Sequence, residues 1–124
     1  VGGSNLTPFN TPTEFSEDEI ETFLLEGIDK VKDAKFKIMV PHMPPKDTKI
    51  DIITAGAHAG SQSVSNFIFK HKPDIALSGH IHEARGSDTI KHTLVFNAGM
   101  FREGGYVVIT KTSEELSAEL KVLS

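Results

Sequence analysis

The sequence predicts an α/β fold in which a β-α-β unit is followed by an antiparallel strand meander. Three observations lead there. Two short apolar runs, at residues 36–40 and 74–78, flank an amphipathic stretch that opens with Ser61-Gln62-Ser63. Each run ends abruptly in a turn that contains histidine. Downstream, apolar and polar residues alternate, with Leu116, Ala118, Leu120 and Val122 on one face, the period of a half-buried strand. A unit of this kind implies a parallel pair of strands, with antiparallel strands added later.

Residues 1–15 are rich in Gly, Asn and Pro and read as a loop. A helix is expected over residues 16–33. Ser16 and Glu19 form a capping box, and Glu17, Asp18 and Glu19 suit the positive end of a helix. Ile20, Phe23, Leu24, Ile28 and Val31 recur at helical spacing and define its inner face. Residues 36–40 read as a buried strand, closed by Pro41-His42-Met43-Pro44-Pro45. A polar loop follows over 46–60, and loops of such length inside a small domain usually carry function. Ser61 or Ser63 caps a second helix that runs to about His71, with Val64, Phe67 and Ile68 inward and Lys72-Pro73 as its breaker. Residues 74–78 form the next strand and lead into Gly79-His80-Ile81-His82-Glu83. A strand is expected over 88–96, a turn over 97–103, and a final hairpin from 106–110 and 116–122.

The whole, residues 1–124, reads as one domain: an N-terminal loop, a helix, a segment at 36–83 that holds the chemistry, and a meander at 88–123. At 124 residues folding buries roughly two-thirds of the chain's surface, enough for a modest core. The formal charge is −4 and no stretch is dense in Lys or Arg, so nucleic acid is expected only as a substrate. There is no cysteine, which excludes disulfides and thiolate metal sites. No apolar run approaches the ~20 residues of a membrane span. With no leader segment visible, a cytoplasmic setting is the default expectation.

The candidate chemistry lies in the two histidine turns. Ligands of α/β sheets gather at the carboxyl ends of parallel strands. If the two strands are neighbours, His42, His80 and His82 converge, and a cluster of imidazoles suits a transition metal. Alone, His42 reads as an exposed turn residue, and a Gly-His-x-His string is short enough to arise by chance. Their common position after two apolar strands favours the metal.

Gly79-His80-Ile81-His82 resembles the GHxH signature of calcineurin-like metallophosphoesterases, and His42 in its Pro-rich turn resembles that family's upstream histidine. Gly2-Gly3-Ser4-Asn5, residues 7–12, Pro44-Pro45-Lys46 and His58-Ala59-Gly60-Ser61 extend the resemblance along nearly the whole chain. The resemblance implies half of a four-layer sandwich, with two sheets flanked by helices. It implies two divalent ions in the complete enzyme, drawn from Mn, Fe, Zn, Ni or Co. His42 and His80 would bind one ion and His82 the other, for hydrolysis of a phosphate ester. His58 matches a position near the substrate and is a candidate catalytic residue. Asn97 matches a turn that orients the GHIH segment.

The family's Asp-x-His, Gly-Asp-x-x-Asp and Gly-Asn-His-Asp/Glu motifs are absent. The expectation is therefore a C-terminal half whose N-terminal half, on the same or a separate chain, supplies the carboxylates. The strand edge left open would pair with that half or drive self-association. The alternative is a binding or scaffold module that keeps the fold and has lost the binuclear site. A mononuclear three-histidine zinc hydrolase, with Glu83 or Asp51 as base, is a third reading. Thr48 and Asp51 read as structural, Arg85 as a surface ion pair, Phe9 and Phe101 as packing residues, and His71 and His92 as ordinary surface or structural residues.

Overall fold

The computed structural model describes residues 1–124. The N-terminal segment is more ordered than a plain loop. Its β1 (Ser4–Asn5) and β2 (Glu14–Phe15) pair in parallel. The turn between them closes on the Glu14 carboxylate, which accepts from the N–H and hydroxyl groups of both Thr7 and Thr11. The Thr11 hydroxyl, then the N–H groups of Thr7 and Thr11, hold Glu14 down at a pKa of about 2.

Helix α1 (Glu17–Lys30) has the expected capping box at Ser16 and Glu19. Ile20 and Leu24 pack in the core with Val64, Phe67 and Ile68 of α2 (Gln62–His71). Phe23 and Val31, assigned to the same inner face, are instead 37% and 46% exposed. The apolar face of α1 is wider than α2 can cover, and the remainder lines a groove beside β3 (Ile38–Met39). α2 is capped by the Ser61 hydroxyl and ends at Lys72 in the left-handed region, immediately before Pro73.

The main sheet has the order β3-β4-β6-β5, with β4 at Ile75–Ser78, β5 at Gly86–Ile90 and β6 at Thr93–Asn97. The α/β class and the β-α-β unit stand, since β3 and β4 are parallel neighbours joined through α2. Three details differ from expectation. Residues 36–40 are not a buried strand. β3 is a two-residue edge strand, with Ile38 45% and Val40 60% exposed. Residues 88–96 are not one strand but the hairpin β5–β6, antiparallel and reversed at Lys91-His92. Lys91 takes the positive φ of 56° there, a conformation usually signalled by Gly or Asn, so the turn has no signature in the sequence. Finally, β6 runs parallel to β4, so the parallel core has three strands. The hairpin of β7 (Gly105–Lys111) and β8 (Leu116–Val122) forms a separate two-stranded sheet. Leu116, Ala118 and Leu120 of its alternating face are half-buried, and Val122 at the end of β8 is exposed.

The core, including Met43, Ile50, Ala76 and Val95, lies between the helix pair and the main sheet. Both histidine turns leave the carboxyl ends of adjacent parallel strands, β3 and β4, at its rim.

Candidate metal centre

The turn after β3 is anchored by burial. Pro41, Met43 and Pro44 are fully buried, while the intervening His42 is exposed. The proline rings also limit the freedom this turn loses on folding. The turn after β4 is tied to it directly, because the Gly79 N–H donates to the His42 carbonyl at 3.0 Å. His80 then adopts a φ of 62°. A left-handed backbone at a residue with a Cβ costs on the order of 1–3 kcal/mol and recurs at functional sites. This twist splays the two histidines of the GHIH segment. His80 turns toward His42, and His82 opens a 3-10 turn over His82–Ala84 with its side chain exposed.

The His80 Nδ1 and His42 Nε2 atoms are 3.2 Å apart, with the rings edge to face at 5.0 Å between centroids. Burial, followed by the neighbouring rings of His42 and His82, lowers the pKa of His80. The neutral imidazole is the form that ligates a metal. Two nitrogens each about 2.0–2.1 Å from one tetrahedral ion lie about 3.3–3.4 Å apart, so the observed separation suits two ligands of the same ion. His42 and His80 thus fit one side of a metal site. His82 is near enough to influence His80 but does not join the pair, and no group of three or more His, Asp or Glu side chains converges on a common point. The expected convergence is therefore realised for two imidazoles. A three-histidine mononuclear zinc site finds no support in this arrangement.

Asn97 locks the geometry from below. It is fully buried and its Nδ2 donates to the Ile81 carbonyl at 2.7 Å and the Ile50 carbonyl at 3.2 Å, while its Oδ1 accepts from the Gly99 N–H at 2.9 Å. One side chain therefore holds both the GHIH turn and the base of the 46–60 loop, which is the orienting role expected of it. The Thr54 N–H and hydroxyl donate to the Glu83 carboxylate, joining the tip of that loop to the residue after the GHIH segment. Glu83 stands out in the sequence because it follows the GHIH segment, whereas Thr54 carries no signal beyond its polarity.

His58 lies on the returning arm of a tight reversal in the 46–60 loop, paired across to Ile52 and turned at Gly56. Its ring is 38% exposed and its Nδ1 contacts the fully buried Asp51 carboxylate. That hydrogen bond, opposed by partial burial and reinforced by the charge of Asp51, raises the pKa of His58. His58 and His80 line the same cleft of about 690 Å³, which the segment from Asn5 to Phe9 also lines. Phe9 is 81% exposed at its mouth and Phe101 is 73% exposed elsewhere, so neither is a packing residue. Arg85 makes no ion pair; its guanidinium donates to the Glu103 carbonyl at 3.2 Å. His71 stacks on Phe67 and His92 contacts the Lys72 carbonyl, both structural roles as expected.

Comparison with known proteins identifies the family and the fold. The family described as metallophosphoesterase, calcineurin superfamily, matches residues 12–120. The Methanocaldococcus jannaschii protein named Uncharacterized protein MJ1162 is 43% identical over 101 residues, 78% of this chain and 45% of that protein. Two crystal structures share the fold. One has a TM-score of 0.67 at 22% identity, over 90% of this chain and 41% of its own. The other, TT1561 of Thermus thermophilus, has a TM-score of 0.53 at 19% identity, over 86% and 43%. The chain spans less than half the length of each of these proteins. With the family's pattern running through both histidine turns, this chain belongs to the calcineurin superfamily of metallophosphoesterases.

Proposed function

We propose that this chain supplies the histidine side of a metal-dependent phosphoesterase site, and that the remaining ligands come from protein outside it. The observation that carries this reading is the pair of ring nitrogens, His42 Nε2 and His80 Nδ1, 3.2 Å apart at the ends of two parallel strands. His42 and His80 would hold one divalent ion, and His82, on the other arm of the splayed turn, would serve a second. When bound, such ions supply Lewis acidity toward phosphoryl oxygens and an activated water. The chain's own residues set the stage for this. Asn97 and the Gly79 N–H hold the two turns together, and His58 faces the cleft from the opposite loop.

The position of the pair supports a docked second half. β3 is the open edge of the main sheet, and His42 follows it. Val1 already bonds along this edge, its backbone nitrogen donating to the Val40 carbonyl and its carbonyl accepting from the His42 N–H, each at 2.9 Å. A strand arriving on this edge would bring its carboxyl end, and any carboxylate there, beside the two imidazoles.

The test is hydrolysis of a nitrophenyl phosphodiester and the corresponding monoester by the full-length protein with Mn²⁺ or Ni²⁺. His42→Ala and His80→Ala are expected to lower turnover by about a hundredfold or more, since even indirect partners of metal ligands cost 10–100-fold. Unchanged turnover in both variants refutes the assignment. The absence of any three-ligand group in this chain favours a second reading, a module that keeps the fold without the chemistry. That reading expects no metal-dependent turnover from the full-length protein.

A further inference from the structure

The 46–60 loop is organised around a buried carboxylate that the reading above leaves without a role. Asp51 is fully buried. Its Oδ1 accepts from the Thr48 N–H at 3.1 Å and contacts His58 Nδ1, and its Oδ2 accepts from the Asp47 N–H at 3.1 Å and the Gly60 N–H at 3.0 Å. Both oxygens are therefore acceptors only, and each already has two partners. The proton of the His58–Asp51 contact must then sit on His58 Nδ1, which leaves Nε2 as the ring nitrogen free to meet a ligand. The backbone is as constrained as the carboxylate. A Cβ on Gly60 would stand 2.6 Å from the Pro44 carbonyl oxygen, and the Ala59 N–H donates to the Asp51 carbonyl at 3.0 Å. The His58 ring is thus fixed in place at the wall of the cleft it shares with His80.

We propose that Asp51 is a positioning residue that presents His58 as a cationic two-N–H donor, and that this dyad receives the phosphoryl oxygens of the substrate in the cleft. The inference rests on the phosphoesterase reading for the identity of its ligand, and it goes beyond that reading in assigning the anion-binding group. A fixed imidazolium on a partly solvated wall suits a tetrahedral dianion, because a charge-assisted donor bond is roughly twice as strong as a neutral one. The charged groups around His58 are Asp51, Asp47 and Lys46 on its own loop, with Glu17 of α1 and His80 and Glu83 of the GHIH segment along the same cleft. Asp51 is the one in contact with the ring. Its hydrogen bond and charge keep the donor form populated to higher pH than an isolated histidine would allow.

Sulfate is the probe, because it is a tetrahedral dianion that does not titrate near neutral pH. Ring-nitrogen NMR of the chain should show His58 protonated on Nδ1 throughout its titration, with the Nε2 signal moving on addition of sulfate. His58→Gln should weaken sulfate binding about tenfold, the loss of one charge-assisted bond. In the wild-type chain sulfate affinity should fall as pH rises through the titration of His58. In Asp51→Asn that fall should move to lower pH, a displacement that a purely structural role for Asp51 would not produce. A neutral His58 carrying its proton on Nε2 overturns the proposal, and it does so even if Asp51→Asn fails to fold. So does equal sulfate affinity in His58→Gln. None of these measurements uses metal or turnover. A full-length protein with no hydrolytic activity but an intact sulfate response at His58 counts against the phosphoesterase reading and still supports the dyad.

Discussion

Removing the Asn97 amide tests the support beneath the site. In Asn97→Ala three hydrogen bonds disappear, to the Ile50 and Ile81 carbonyls and from the Gly99 N–H. Each is worth about 1 kcal/mol net. The two carbonyls belong to buried residues, so no water replaces the lost donors without opening the structure. The expected loss is about 3 kcal/mol, a large share of the ~5–15 kcal/mol that holds a domain together, and roughly 10 °C in Tm. Asn97→Asp separates hydrogen bonding from volume. It keeps the acceptor for Gly99 but turns a second oxygen toward two carbonyls in a fully buried position, so it should destabilise at least as much as Ala despite its near-identical shape. The chain has no Trp and one Tyr, so far-UV circular dichroism in urea is the suitable assay. Midpoints equal to wild type at unchanged slope would refute the account. An Asp variant markedly more stable than the Ala variant would show that the amide nitrogen does not face those carbonyls.

Other outcomes follow from neighbouring contacts. Glu17 accepts from the Ser61 hydroxyl and the Ser63 N–H at the start of α2; burial works against its charge, yet these bonds hold its pKa below the ordinary glutamate value of 4.5. Glu17→Gln should cost about 1 kcal/mol, allowing for its partial solvent exposure. Because the folded pKa is the lower one, that contribution is present above the ordinary value and vanishes as pH falls through the folded value. Wild-type and variant urea midpoints should therefore converge in acid, and a gap that persists at low pH argues against the assignment. Calorimetric titration of the chain with Zn²⁺ or Mn²⁺ should show weak binding of no more than one ion, abolished in His42→Ala; two tightly bound ions per monomer would contradict the two-imidazole site. The open β3 edge, with Ile38 and Val40 exposed, should make the chain self-associate in sedimentation velocity, and Ile38→Lys with Val40→Lys should suppress this. A monodisperse wild-type monomer would remove the edge as a docking surface.

Local rules were enough for the elements whose causes are local. The capping box at Ser16 and Glu19, a serine cap at Ser61 or Ser63, the Pro73 stop and the inner face of α2 each depend on residues within one or two turns and are legible in the sequence, and the structure decides the cap for Ser61. The two histidine turns were legible for a similar reason, since an apolar strand that stops at a Pro-His or Gly-His step says where its carboxyl end lies. Distance along the chain hid the rest. His42 and His80 meet because β3 and β4 are parallel neighbours, whereas His82, two residues from His80, is turned aside by a backbone twist at His80, a residue type that does not announce a left-handed turn. Asp51 and His58 each stand out in the sequence, but their contact depends on a reversal of the chain at Gly56 and has no periodicity to reveal it. Phe23, Val31 and Ile38 read as interior by pattern and are exposed in the fold, because burial depends on what lies opposite a face, and beyond the two bonds to Val1 the β3 edge has no strand paired with it. Hydrophobic period and turn chemistry act over a few residues, so they specify elements and their ends. Which ends share a rim, and which apolar faces remain uncovered, depends on packing between segments tens of residues apart.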